Sequence, residues 1–217
     1  MQNHLTNISN QLTLAIHSTD NTFGFAYRKK SNLEADNLFI KKFDKDLCNN
    51  LIVDFKEFIP KENLERVNKI SVSIGPANFN ASRLIVVLAR TISQQRNCPL
   101  ESFSSFELMS KRIALRNNIY KKNKSFWIYK KLKRKGFIAG KYEVCISEKE
   151  NNKLVLKETV IPKVIQELDN KELNFQANYD DKEDLKELLN LANKKQKIAN
   201  FNSWGKVLPL YPISPIN

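Results

Sequence analysis

Few side chains in this sequence are suited to catalysis or metal binding, and their spacing is unfavourable. The only histidines are His4 and His17, and the cysteines are Cys48, Cys98 and Cys145. A zinc site needs closely placed histidine or cysteine ligands, and the sequence has neither a close pair of histidines nor a CxxC motif. We therefore predict no catalytic residue, no metal site and no cofactor. Three widely spaced thiols favour a reducing, cytoplasmic compartment.

The most informative segment is 74–83 (IGPANFNASR), which joins a short apolar strand to a helix. Gly75 permits unusual backbone angles, Pro76 fixes one dihedral angle, and either Asn78 or Asn80 can cap the helix. Phosphate-binding loops expose several backbone N–H groups, usually at glycines, but Gly75 is the sole glycine of this segment. The pattern predicts a sharp turn rather than a phosphate site.

The helix after this turn is apolar at six successive positions, 84–89 (LIVVLA), so it has no polar side there. A helix that is apolar all round must be buried all round, because each exposed Leu, Ile or Val forfeits about 1.5–3 kcal/mol. Two interpretations remain open. The helix binds a partner protein, or it is covered by the chain's own helix 44–58 or C-terminal half.

A second segment, 121–135, combines cations with aromatic rings and contains no acidic residue. This pattern suits a surface that follows phosphates and stacks bases. Alternation along a strand, however, places Trp127 and Tyr129 on one face and Phe126 and Ile128 on the other, so at least one face is buried. We favour ordinary burial for the aromatics. The residues that we expect to contact RNA, if this segment does, are Lys130, Lys131, Lys133 and Arg134.

The periodicity predicts an α/β chain with a mixed sheet. The predicted strands are 12–17, 22–28, 33–42, 70–74, 98–103, 125–132, 137–147 and 153–160. The predicted helices are 44–58, capped by Asp44, and 78–95, 105–116, 161–168 and 182–192. Three meandering strands followed by alternating helices and strands are typical of a ribonuclease-H-like domain. The predicted divisions are a disordered leader (1–11), an N-terminal subdomain (12–103), a C-terminal subdomain (104–206) and an extended tail (207–217).

Composition sets broad limits on the function. The 217 residues carry a formal net charge of +13, which favours polyanionic partners such as nucleic acid. A general bias toward Lys, Asn and Ile explains the same charge without a designed binding surface. No apolar run reaches about 18 residues, so we predict no membrane span.

Several segments resemble the TsaB (YeaZ) family. The strand 12–19 (LTLAIHST) is similar to the family's opening LAIDTS, and segment 74–83 is similar to its GPGSFTGxR turn. The apolar helix, the SSF sequence at 104–106 and the LPLYP sequence at 208–212 continue the similarity. It covers about half of the chain.

The resemblance implies an actin-like (ASKHA) fold of two subdomains and a subunit that does no chemistry itself. It implies pairing with TsaD, which transfers the threonylcarbamoyl group to the adenosine beside the anticodon of transfer RNA, and with the small ATPase TsaE. Family members meet TsaD through helices of the N-terminal subdomain and form homodimers in its absence. The residues that the resemblance places at this interface are Leu47, Leu51, Phe55, Phe79, Arg83, Leu84, Val87, Leu88 and Thr91.

The sequence departs from the family pattern at His17, which replaces an Asp, and at Ala77, Asn80 and Ala81 in the turn. A neutral imidazole cannot replace a carboxylate as a ligand for magnesium, so these changes weaken the case for nucleotide hydrolysis. Two alternatives to the scaffold role remain: a small actin-like ATPase or kinase, and a stand-alone RNA-binding protein.

Overall fold

The computed structural model describes residues 10–43, 47–122, 125–132, 136–147, 153–194 and 203–211. These ranges contain two sheets, one of five strands from the first half of the chain and one of four strands from the second half. Short 3₁₀ turns span Ile119–Lys122 and Ser203–Lys206. The prediction of a mixed α/β chain is confirmed.

The first sheet has the strand order β3-β2-β1-β4-β5. Its strands are β1 (Leu12–Ser18), β2 (Thr22–Lys29), β3 (Asn32–Lys42), β4 (Val67–Ser73) and β5 (Leu100–Phe103). The first three form an antiparallel meander, whereas β4 pairs parallel with β1 and β5 parallel with β4. Parallel neighbours need crossover connections, and helices supply them here, in the order that the sequence predicted.

The helices are α1 (Leu47–Phe58), α2 (Lys61–Leu64), α3 (Phe79–Arg96), α4 (Ser105–Arg116) and α5 (Asp181–Lys194). Alternation along β1 sends Leu14 and Ile16 into a core shared with α1 and α3. Ala15 lies on the opposite face in a core with α5. Both faces are therefore covered, which explains why all seven residues of β1 are buried. Helix α5 comes from the C-terminal half but packs on the N-terminal sheet.

Gly24 lies where β2 approaches both β3 and α5. A Cβ atom at this position would lie 2.8 Å from the carbonyl oxygen of Phe39 and 2.8 Å from Leu185 Cδ1. The end of a leucine side chain moves easily, whereas a backbone oxygen does not, so the close approach of β3 is what requires glycine here.

The second sheet has the order β8-β7-β6-β9. Its strands are β6 (Ser125–Lys131), β7 (Phe137–Ser147), β8 (Lys153–Ile165) and β9 (Leu173–Gln176). Phe126, Ile128 and Tyr142 project from one face into a core with Phe106 and Met109 of α4. The helix therefore covers this face of the sheet.

Two predictions for this region need correction. The predicted helix 161–168 is wrong, because β8 continues to Ile165 and pairs antiparallel with β7, with Val164 opposite Ile138. The β-branched residues at 160, 161, 164 and 165 explain the extended backbone. Strand β9 was not predicted, because four alternating residues are too short a signal; parallel pairing with β6 and packing of Phe175 against the core stabilise it.

The described cysteines are free thiols. Cys98 is buried, and burial raises the pKa of its thiol to about 11, so the reactive thiolate is scarce near neutral pH. Cys145 is half-buried, and the side chain of Cys48 lies outside the described residues. Among the described helices, none is both long and apolar enough to cross a membrane.

Candidate functional site

Gly75 and Asn78 shape the turn between β4 and α3. The φ angle of Gly75 is 98°, in a region that side-chain-bearing residues rarely adopt. Asn78 accepts a hydrogen bond on its side-chain oxygen from the N–H of Ala81 at 3.1 Å. Asn78, rather than Asn80, is therefore the helix cap.

Several polar backbone groups of this turn form hydrogen bonds within the chain. Three of its carbonyl oxygens accept hydrogen bonds, each at 2.7 Å. The N–H of Leu210 donates to Ile74, the N–H of Ser105 donates to Gly75, and the hydroxyl of Tyr179 donates to Pro76. The N–H of Asn78 donates to the carbonyl of Thr19 at 3.3 Å. This turn joins the two halves of the protein.

Lys130 connects the second sheet to the hairpin between β1 and β2. Its ammonium group lies 2.6 and 2.5 Å from the two carboxylate oxygens of Asp20 and 5.7 Å from the ring centroid of Tyr179. Lys130 is therefore engaged within the chain. Of the other cations predicted for RNA contact, Lys131 is exposed, and Lys133 and Arg134 lie outside the described residues.

His17 occupies the end of β1, and only 1% of its surface is exposed. Its two ring nitrogens have no hydrogen-bond partner in the described part of the chain. Burial lowers the pKa of the imidazole to about 4, although the nearby Asp181 carboxylate acts in the opposite direction. The side chain is therefore neutral near pH 7 and unsuited to a hard cation. Within the described ranges, no cluster of three His, Cys, Asp or Glu residues could hold a metal ion.

Substitution of His17 by leucine should change how stability depends on pH. In the unfolded chain the imidazole has its ordinary pKa near 6.5, so acid protonates the unfolded state first. The neutral His17 side chain therefore makes its full contribution to the free energy of unfolding above about pH 6.5, and this contribution is lost as the pH falls toward about 4. Urea titrations at about pH 7 and about pH 4.5 should show that wild type loses about 2–3 kcal/mol more than His17→Leu. Equal losses would mean that His17 titrates normally in the folded protein.

Helix α3 has a buried side and an exposed stripe. Ile85, Val86, Leu88 and Ala89 are buried in the core, with Leu88 only 8% exposed. Therefore, Leu88 does not offer an outward contact. The expectation that the whole helix is buried is wrong, because a row of residues one turn apart faces outward. This outward stripe consists of Phe79, Arg83, Val87 and Thr91, with Leu84 half-buried beside it.

The apolar residues of α1 that we placed at the interface point the other way. Leu51 and Phe55 are 2% and 5% exposed and lie in the core of the first sheet. The outward side of α1 carries Ile52 and Val53, which are 44% and 54% exposed. The side chain of Leu47 lies outside the described residues. The helical spacing of its apolar residues predicts which side of this helix is apolar, but it does not predict what that side contacts.

The C-terminal segment lies along α3 and enlarges its surface. The ring of Tyr211 packs 5.0 Å from that of Phe79, and the Arg83 guanidinium lies 5.6 Å from the Phe79 ring centroid. Leu208 is 60% exposed next to the buried Val207. The sequence predicted an extended surface tail that contains Leu208 and Tyr211 but did not assign either residue to a surface shared with this helix. We call Phe79, Arg83, Val87, Thr91, Leu208 and Tyr211 together the α3 surface.

The C-terminal half also covers one flank of α3. Trp204 packs against the core, and the Arg90 guanidinium of α3 lies 5.8 Å from its ring centroid. The interpretation in which the chain itself covers the helix therefore holds for this flank, whereas partner binding stays a prediction. Among the described residues, the C-terminal half covers this part of the helix and leaves the α3 surface exposed.

Comparison with solved structures identifies proteins of the same architecture. An uncharacterized protein similar to peptidase YeaZ from Pseudomonas aeruginosa matches with a TM-score of 0.62 and 14% identity, over 94% of this chain and all of that one. YeaZ from Pseudomonas aeruginosa matches with a TM-score of 0.60 and 14% identity, over 93% of this chain and 99% of that one. The chain has the YeaZ fold. No protein-family model and no curated protein sequence matches it.

The predicted actin-like fold class is confirmed by this architecture of two sheets with packed helices. At this level of identity the resemblance to YeaZ concerns the fold. The predicted division into subdomains, the partners and the interface remain predictions.

Proposed function

We propose that this protein is a non-catalytic scaffold subunit of the cytoplasmic machinery that adds threonylcarbamoyl to adenosine beside the anticodon of transfer RNA. It pairs with a TsaD-type catalytic subunit, a TsaE-type ATPase joins the pair, and transfer RNA is bound by the complex. The observation that carries this proposal is the open α3 surface on a chain with the YeaZ fold.

The exposure of the α3 surface is energetically unfavourable in an isolated monomer. Val87 is 59% exposed in the middle of α3, and Phe79 and Tyr211 are 37% and 42% exposed. Burial of such a side chain contributes about 1.5–3 kcal/mol, and contiguous apolar patches mark interaction sites. Residues spaced by one turn along α3 suit the packing of a partner helix.

The surroundings of the turn support the absence of catalysis by this chain. The carbonyl oxygens of Ile74, Gly75 and Pro76 already accept hydrogen bonds, and His17 is buried and neutral. An actin-like ATPase would need a carboxylate for its metal ion, and His17 does not provide one. The ATPase alternative is therefore disfavoured.

Co-elution with the TsaD-type subunit from the same genome tests the proposal. Wild type should form a complex in size-exclusion chromatography, and Val87→Glu should weaken it by at least about 100-fold, because the carboxylate would be buried without a partner. Ile161→Glu is the matched control, since Ile161 is 62% exposed on β8, away from the α3 surface. It should leave the complex intact.

The outcomes of this experiment separate function from fold. A complex that forms equally with Val87→Glu would remove α3 from the interface. A folded, monomeric wild type that binds no TsaD-type subunit would contradict the scaffold role. A homodimer through the same surface is expected when the partner is absent, and Val87→Glu should convert it to a monomer.

A further inference from the structure

One face of the four-stranded second sheet is not covered by any described helix. In the described part of the chain, the core cluster that joins this sheet to α4 draws its strand residues from the inner face, including Phe126, Ile128 and Val144. The alternate residues of β6, Trp127 and Tyr129, must therefore project from the other face. This outer face includes Trp127, Tyr129, Lys131, Phe137, Lys141 and Lys163, and we call it the outer sheet face.

The aromatic residues of the outer sheet face lie on the two central strands. Trp127 and Tyr129 are half-buried on β6, and Phe137 is half-buried on β7. The rings of Tyr129 and Phe137 meet edge to face with centroids 5.5 Å apart. The preference for ordinary burial of these aromatics holds for Phe126 but is wrong for Trp127 and Tyr129, which keep partly accessible ring surfaces.

Lysines surround these rings. Lys141 lies opposite Trp127 in the ladder, and its ammonium group is 5.4 Å from the indole centroid. Glu172 holds both groups in place, because it accepts hydrogen bonds from Lys141 at 2.5 Å and from the Trp127 indole. The indole plane is therefore fixed by a cation–π contact and a hydrogen bond.

Two further lysines on this face, unlike Lys141, form no ion pair with a described residue. Lys131 lies opposite Phe137, and Lys163 lies opposite Ala139, which is itself paired with Tyr129. Both lysine side chains are exposed, and neither forms an ion pair with another described residue. The aromatic pair thus lies between two cations that are free to meet an anion.

We propose that the outer sheet face binds single-stranded RNA, independently of any partner at the α3 surface. Unpaired bases stack on Trp127 and Tyr129, and the phosphates lie near Lys131 and Lys163. Aromatic side chains on the central strands of a four-stranded sheet are an established way to stack unpaired RNA bases. Cations beside the rings supply the attraction to phosphate, and the net charge of +13 adds long-range attraction.

Tryptophan fluorescence tests stacking directly, because the chain has two tryptophans. In Trp204→Phe the only tryptophan is Trp127, and titration with a short single-stranded oligouridylate should quench its emission. In Trp127→Phe the remaining Trp204 lies against Arg90 of α3, and its emission should not change. Trp127→Phe should also bind about threefold to tenfold more weakly in fluorescence anisotropy, because a smaller ring that lacks the indole hydrogen bond stacks less well.

A charge-matched pair of double variants tests the phosphate contacts. Lys131→Glu with Lys163→Glu should weaken binding by at least about tenfold and flatten its salt dependence. Lys61→Glu with Lys182→Glu changes the net charge equally at exposed positions of α2 and α5 and should weaken binding less than about threefold. Equal effects of the two pairs would overturn the proposal, as would quenching of Trp204 instead of Trp127 or an absence of binding at low salt.

Discussion

Phe55→Ala should lower the free energy of unfolding by about 3–5 kcal/mol. The side chain is 5% exposed, and its ring meets that of Phe25 edge to face with centroids 5.2 Å apart. Phe25 is itself fully buried and also contacts Phe39 and Phe58, so truncation of Phe55 would leave a cavity between α1 and the first sheet. Urea denaturation of the purified variant at neutral pH measures the loss.

Val53→Ala is the matched control on the same helix. Val53 is 54% exposed, so its truncation should change stability by less than about 0.5 kcal/mol. This comparison decides the role of α1, since the sequence predicted Phe55 as an interface residue. A Phe55→Ala protein that keeps its stability but loses the TsaD-type partner would restore that prediction.

The second large effect is expected at the contact between α4 and α5. Arg112 donates to the Asp184 carboxylate at 2.7 Å, and the two side chains are 12% and 1% exposed. Removal of one member of a buried ion pair leaves the other charge uncompensated and costs about 3–5 kcal/mol. Arg112→Ala should show this loss in urea denaturation, because Asp184 would lose its cation and the carbonyl of Asn178 would lose two donors.

Two further variants show that the loss comes from an unpaired buried charge. Lys186→Ala breaks the exposed ion pair with Glu183 and should cost less than about 0.5 kcal/mol. Arg112→Met combined with Asp184→Leu removes both charges and should recover most of the stability lost in Arg112→Ala. A cost for Arg112→Ala as small as that for Lys186→Ala would mean that α5 docks through its leucines alone.

Local features of the fold could be predicted because they depend on neighbouring residues. The meander of β1 to β3, the long helix after the turn and the break at Pro60 follow from alternation, helical spacing and turn residues. The role of Gly75 follows from its missing side chain. The choice between Asn78 and Asn80 as cap remained open, because both can accept the hydrogen bond and only the backbone path selects Asn78.

The order of residue types was enough to predict that α1 and α3 are strongly apolar, that position 17 provides no carboxylate and that aromatics alternate along β6. Which of these surfaces are covered depends on how distant segments pack together. Phe55 turns into the core while Val87 turns outward, α5 returns to the first sheet, and the outer sheet face keeps Trp127 and Tyr129 partly accessible. The reason is physical: the hydrophobic effect is non-directional, so periodicity shows which side must be buried, whereas contacts between distant segments decide what buries it.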